Sequence, residues 1–227
     1  MSIDMPLHQP RFAITSLNVG KARPFRADGT LSAIAKTPVR EPQWLGPEGF
    51  ADDEVADPIH HGGADKAVHL YPQDHYAWWR QQLGDHSLLN GPAAFGENIT
   101  VQGLTEDKAY LGDRFGIGEA VIEISHGRQP CWKLDHRFGV KGKQGIMAAI
   151  IASGRCGLYA RVVTPGYVNP DDDLVLLEQG DGDWSIKRLF AVLIGGKHKE
   201  QPEALQVLAT HPRLAAAWQQ RAAKLIK

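Results

Sequence analysis

The chain has 227 residues, enough for one large domain or for one domain with a small appendage. Its 43% hydrophobic and 22% charged content is that of an ordinary globular protein, and a net charge of −1 without like-charged blocks gives no case for a nucleic-acid polymer or a membrane surface as partner. No run approaches the roughly 20 apolar residues that span a bilayer. The opening MSIDMPLHQPRF lacks the positive start and apolar core of a secretory signal, so a cytoplasmic location is expected. Two cysteines make no disulfide framework and are too few for an iron–sulfur cluster, which usually takes about four.

Taken in chain order, FAITSLNVG alternates apolar and polar positions and stops at Gly20, as a half-buried strand does. LSAIAKTPV predicts a second strand, broken by Pro38. The following REPQWLGPEGFADDEVADPIHHGGADK has no period and is rich in Pro, Gly and Asp, which predicts a long functional loop. AVHLY then reads as a strand, and PQDHYAWWRQQLG as a helix with Tyr76, Trp79 and Leu83 on one face. ENITV, DRFGIG and AVIEIS are further short strands between glycine turns, the pattern of a β-rich barrel or sandwich. KQGIMAAIIASG predicts a helix ending at Gly154, and LYARVV and LVLLEQ predict closing strands. From Ser185 the pattern turns helical: SIKRLFAVLI, QPEALQVLA and PRLAAAWQQRAAKLIK. Three short amphipathic helices bury little alone, so they should pack on the barrel or on a second subunit.

Three blocks carry candidate chemistry. In HHGGADK, paired glycines let backbone N–H groups approach an anion, with His61 and Lys66 adding donors; a plain turn into the next strand accounts for them equally. His60, His61, His69 and His75 invite a zinc hypothesis, although His69 falls in a strand and His75 at a helix start. In FGENITV, Glu97 beside Asn98 could orient a polar heterocycle, or Asn98 could simply stabilise a turn. In SHGRQPCWKLDHRFG, Cys131 stands among Arg128, Lys133 and Arg137 and the rings of His126, Trp132 and His136. It could be a packing residue, a nucleophile or a soft metal ligand; nearby cations favour the thiolate that the last two need. Cys156, in SGRCGLY, reads as a small buried residue.

Together LSAIAK, HHGGADKAVHLYPQDHYAWW, AFGENITVQGLTEDKAYLGDRFGIGEAVIEIS and GRQPCWKL resemble the MOSC family, named for the C-terminal domain of molybdenum-cofactor sulfurases. They cover most of residues 30–165, and the tail after Trp184 resembles the three-helix extension of the YiiM type, whose members reduce N-hydroxylated bases such as hydroxylaminopurine. The resemblance implies a mainly β fold with some α: a β-barrel-like domain over residues 1–176 and a helical extension over 177–227. It also implies molybdenum held by a pyranopterin, the molybdenum cofactor, with Cys131 as the protein's ligand to the metal. Lys36, His61, Gly62, Asp65, Lys66, Asn98 and Arg128 carry over as contacts to the cofactor's phosphate and pterin. His126 and Gly127 replace Gln and Pro of the S-Q-P-R-x-P-C pattern, which predicts a more flexible loop and a shifted substrate preference.

The expected activity is reductive cleavage of an N–O bond in a small N-hydroxylated substrate, with His126, His136 or Glu97 relaying protons. With no flavin or iron–sulfur motif in the chain, electrons should come from an external flavin or iron–sulfur reductase. The helical tail is then a candidate docking surface for it, or a homodimer interface. The alternative is a carrier module that holds cofactor or sulfur as a Cys131 persulfide without substrate turnover.

Overall fold

A computed structural model of the chain describes residues 9–227; the segment 1–8, most of the stretch read above as lacking a secretory start, lies outside the described residues. Seven strands close into a ring: β1 Arg11–Val19, β2 Val68–Pro72, β3 Ile99–Val101, β4 Arg114–Ile117, β5 Ala120–Gly127, β6 Leu158–Thr164 and β7 Asp173–Glu178. The order around the barrel is β7-β4-β5-β6-β2-β3-β1, with β7 pairing back onto β1, so the ring itself leaves no open edge. All neighbours are antiparallel except β2 and β3. The strand period of two sets what faces inward. In β5, Ile122 and Ile124 are buried in the core, while Glu123 between them is covered by Arg114 and Arg161 on the other face. The mainly β barrel with added helices is the fold the sequence predicted.

Among the described residues, seven α-helices decorate the barrel: α1 Pro58–His61, α2 His75–Leu83, α3 Trp132–Arg137, α4 Ile146–Ser153, α5 Ile186–Leu193, α6 Pro202–Thr210 and α7 Ala216–Leu225. Helix α5 starts where Ser185 Oγ accepts a hydrogen bond from the Arg188 N–H. Ile186, Leu189, Phe190 and Leu193 recur at helical spacing and are buried, each contributing about 1.5–3 kcal/mol of burial. They belong to the same apolar core as the barrel strands, so the tail packs on the barrel. No helix among the described residues is long and apolar enough to cross a membrane.

Four expectations need correction. LSAIAKTPV is not one broken strand: Leu31–Ser32 pairs with Arg23–Pro24, Thr37–Pro38 pairs with β1, and Ala33–Lys36 leaves the ladder. Ala33 packs so close to Gly20 that a Cβ there would stand 2.8 Å from the Ala33 carbonyl oxygen. The long aperiodic segment contains two strand pieces, Gln43–Gly46 and Gly49–Phe50, besides α1. His126 and Gly127 are not a flexible loop but the end of β5, paired with Tyr159 and Leu158. A Cβ on Gly127 would lie 2.9 Å from Cys156 Sγ and 3.1 Å from Ile186 Cγ2, so this glycine is where α5 meets the barrel. Finally, α7 begins at Ala216, later than PRLAAAW suggested.

Candidate functional site

One end of the barrel carries a row of rings. Register places His126 of β5 opposite Tyr159 of β6, and Tyr159 opposite His69 of β2. Tyr159 stacks on His126 at 5.2 Å and tilts against His69 at 5.1 Å. Next in the ring, Asn98 brackets the His69 backbone: its N–H donates to the His69 oxygen at 2.8 Å, and its Oδ1 accepts from the His69 N–H at 3.1 Å. The Asn98 amide then donates to Asp53 at 2.8 Å, and Asp53 also accepts from the Gly20 N–H at 2.7 Å and pairs with Lys36. Lys36 reaches Asp53 from the segment that left the ladder. Burial pulls its ammonium below the ordinary lysine value, and the Asp53 charge opposes that shift.

Arg128 and Cys131 lie on the segment that leaves β5. The Arg128 N–H continues the strand pairing by donating to the Gly157 oxygen at 3.2 Å. Its side chain is only 6% exposed, yet Nη1 has no hydrogen-bond partner, and the same holds for the buried His69 Nε2. Unpaired buried polar atoms are rare, and each calls for a partner from outside the chain, a water or a ligand. His61 faces the same space: burial, with the Lys133 and Arg128 charges, pushes it down to about 4. Lys66 donates to the His60 oxygen at 2.7 Å, and burial lowers its ammonium as well. Lys133 donates to the Leu31 oxygen at 3.3 Å.

These groups line two adjoining clefts. The first, about 780 Å³ including its mouth, falls within the roughly 300–1,000 Å³ of ordinary ligand sites; it holds Lys36, Asp53, His69, Asn98 and Arg128. The second, wider cleft is walled by α7, with Trp218, Gln220, Arg221 and Lys224, and by Trp132 of α3. Cys131, His61, Lys66, Lys133 and Tyr159 line both. The half-buried Cys131 sulfur therefore stands where the two spaces meet.

Residues 57–175, just over half of the chain, match the family model of the MOSC domain. The chain belongs to the MOSC family. An uncharacterized protein of Bacillus subtilis (strain 168), YflK, is 38% identical over 214 residues, which is 93% of each chain. The crystal structure of YiiM from Geobacillus stearothermophilus superposes with a TM-score of 0.78 at 33% identity, covering 95% of this chain and all of that one. A protein of Gibberella moniliformis (strain M3125 / FGSC 7600) named reductase is 33% identical over 163 residues, 71% of this chain and 28% of that protein.

Of the residues singled out by the MOSC resemblance, Lys36, His61, Gly62, Lys66, Asn98, Arg128 and Cys131 share the first cleft. Asp65, Glu97 and His126 do not line it. Glu97 is sealed at 0% exposure: it accepts from the Tyr76 hydroxyl at 2.6 Å and from the Ala93 and Phe95 N–H groups at 3.0 Å. Burial raises its carboxyl pKa, and its bonds fix a turn in which Ala93 has a φ of 61°. Asp65 pairs with Arg161 at 2.8 Å and accepts from the Ala216 N–H at 3.2 Å. His126 lines the second cleft only, with Nδ1 2.9 Å from Ser125 Oγ. His136, the third relay candidate, lies 3.1 Å from the Phe25 oxygen. The Gly62 N–H is spent on the Pro58 oxygen at 3.1 Å, and a Cβ on Gly62 would meet that oxygen at 2.8 Å, whereas Gly63, at a φ of 96°, has open space beside it. No group of three or more metal-ligating side chains exists among the described residues, so the four histidines named for zinc do not form a ligand set there.

Sequence reasoning overlooked Asp53, Tyr159 and Trp218 and raised His69 only as a zinc candidate. A polar His69 inside the wholly buried strand VHLYP was a usable signal. Asp53 lies in the aperiodic segment read as a functional loop, but nothing in its immediate sequence singled it out.

Proposed function

We propose that this protein is a molybdenum-cofactor-dependent reductase of N-hydroxylated compounds of the hydroxylaminopurine kind, with Cys131 as its ligand to the metal. The observation that carries the reading is the position of the Cys131 sulfur between a cleft of buried cations and a second, open cleft. Membership of the MOSC family and a relative named reductase support it.

The residues fit such a cofactor. Arg128 Nη1 and His69 Nε2 lack partners, and Lys36 and Lys66 are depressed by burial, so an anionic, acceptor-rich group suits all four. A sulfur donor suits a soft, sulfur-rich metal site. Lys36, Asn98 and Arg128 would hold the cofactor, and Cys131 the metal. When bound, the cofactor supplies the two-electron reduction of R–NHOH, with two protons, to R–NH₂ and water. The chain's own part is position and protons. The network of Asp53, Asn98 and Lys36 fixes part of the wall, and Tyr159 and His69 line the same space. Lys66 lines both clefts, and burial makes its ammonium more acidic, so it is the proton donor best placed for the cleaved bond. Electrons come from a separate flavin or iron–sulfur protein.

A sulfur or cofactor carrier needs no second chamber, so the cleft beneath α7 weighs against that alternative. The test is molybdenum content and hydroxylamine reduction with an artificial donor, for wild type, Cys131→Ser and Cys156→Ser, all from cells able to make the cofactor. Near-stoichiometric metal and turnover in wild type and Cys156→Ser, both lost in Cys131→Ser, is the expected result. Equal metal and activity in all three overturns the assignment, and sulfide release on thiol treatment without metal favours the carrier.

A further inference from the structure

We infer that the second cleft takes its substrate as a nucleotide, with an N-hydroxylated ring on Trp132 and a phosphate against Arg221 and Lys224 of α7. This rests on the reading above and deepens it, naming the form of the substrate. Four lysine and arginine side chains line this cleft, Lys66, Lys133, Arg221 and Lys224, against one carboxylate, Asp57. Asp57 is already paired with His60 at 3.1 Å. Lys66 and Lys133 also line the first cleft and donate to backbone carbonyls, so neither is reserved for this cleft.

Arg221 and Lys224 line the second cleft alone. They are three residues apart on α7, so they project from neighbouring positions of one helical face, with Ala217 and Gln220 in the same wall. Arg221 is held in place by its Nε, which donates to the Leu193 oxygen at 2.6 Å. Its terminal nitrogens remain as a fork suited to a phosphate. A neutral free base gains nothing from these cations, whereas a phosphate does. The cofactor's phosphate has its own partners in Lys36 and Arg128 of the first cleft.

The ring end is equally specific. Trp132 follows Cys131 directly and keeps 42% of its surface exposed. The Arg26 guanidinium sits 5.3 Å from its ring, and the Phe25 ring 6.1 Å away. An indole with Arg26 over one face, lining the same cleft as the sulfur, offers its other face as a platform for a planar heterocycle.

The experiment is equilibrium binding of adenosine monophosphate, adenosine and inorganic phosphate to the full chain, both loaded with cofactor and as cofactor-free Cys131→Ser. Adenosine monophosphate should bind about ten-fold tighter than adenosine to both forms, as one charged hydrogen-bonded contact provides. The preference should shrink with added salt and vanish in Lys224→Glu, while Lys197→Glu, on a surface turn outside both clefts, should retain it. Equal binding of nucleotide and nucleoside overturns the inference, as does inorganic phosphate competing as well as the nucleotide. A preference confined to the cofactor-free form also overturns it, by assigning the phosphate site to the cofactor. Loaded protein that reduces an N-hydroxylated base and ignores the phosphate sinks this inference alone. Intact nucleotide binding in a protein that never acquires molybdenum sinks the reductase reading alone.

Discussion

The two clefts that meet at Cys131 are built on opposite plans. The first is cut into the barrel end around a chain of largely buried, mutually bonded polar groups: Lys36 to Asp53, Asp53 to Asn98, Asn98 to the β2 backbone. The second is assembled at the surface from pieces far apart in sequence, Trp132 on one side and α7 on the other. Buried, interlocked polar groups allow one geometry and lose much if a single partner is removed. A wall made by one docked helix can shift or change residues without unfolding the barrel. A fixed chamber suits a cofactor of constant shape, and an adjustable one suits a substrate.

Removing one partner from the first cleft should produce the largest effect. Asp53→Ala leaves Lys36 buried without its counter-charge and strips acceptors from Asn98 and the Gly20 N–H, an expected loss of about 3–5 kcal/mol in urea unfolding. Combining Asp53→Leu with Lys36→Met should recover most of that stability while abolishing molybdenum retention. If Asp53→Ala costs under about 1 kcal/mol, the buried network is not what fixes this cleft.

His126 sits at the boundary of the two plans and supplies the next test. It is buried between Tyr159 and Trp218, and burial, with the Lys66 and Arg161 charges, pushes it down to about 3 from 6.5. Between those values the unfolded chain binds a proton that the folded chain refuses, so stability falls as pH drops through that window. At pH 5 the expected cost is about 2 kcal/mol for this one histidine. His61, pushed to about 4, steepens the same slope. Thermal unfolding from pH 7 to 5 should show the decline, and His126→Phe should make it shallower, leaving the share of the other depressed histidines. An unchanged slope in that variant would mean His126 already takes up a proton in the folded protein.

The same contrast explains what could be read from the sequence. The barrel was legible because alternation and glycine turns are local. Cys131, Arg128, Lys66 and Asn98 were legible because the motif blocks that carry them line one cleft. What the blocks could not say is which of two adjacent side chains enters the cleft. Glu97 and Asn98 are neighbours at a strand start and diverge, one into the wall and one into the site. Asp65 and Lys66 are successive residues of one 3₁₀ turn and diverge likewise. Asp53 and Tyr159 were not legible, because their partners come from segments 45 and 33 residues away. The tail's helical period was plain, but that α7 would wall a cleft depended on a contact 151 residues long in sequence.

That contact gives the smallest expected effect and the sharpest separation of the clefts. Asp65 Oδ2 accepts from the Ala216 N–H at the start of α7, where no side chain of the helix's own cap does so, while Oδ1 holds Arg161. Asp65 therefore ties the loop beside the first cleft to the helix that walls the second and acts as a positioning residue. Asp65→Ala should cost about 1 kcal/mol, the scale of a lost helix cap. Its functional signature should be a raised KM with molybdenum content intact, because the helix is loosened and the barrel end is not. Asp65→Asn keeps an acceptor for the α7 N–H and should restore much of the KM. Loss of molybdenum in Asp65→Ala would instead make Asp65 part of the first cleft's structure and erase the division drawn between the two.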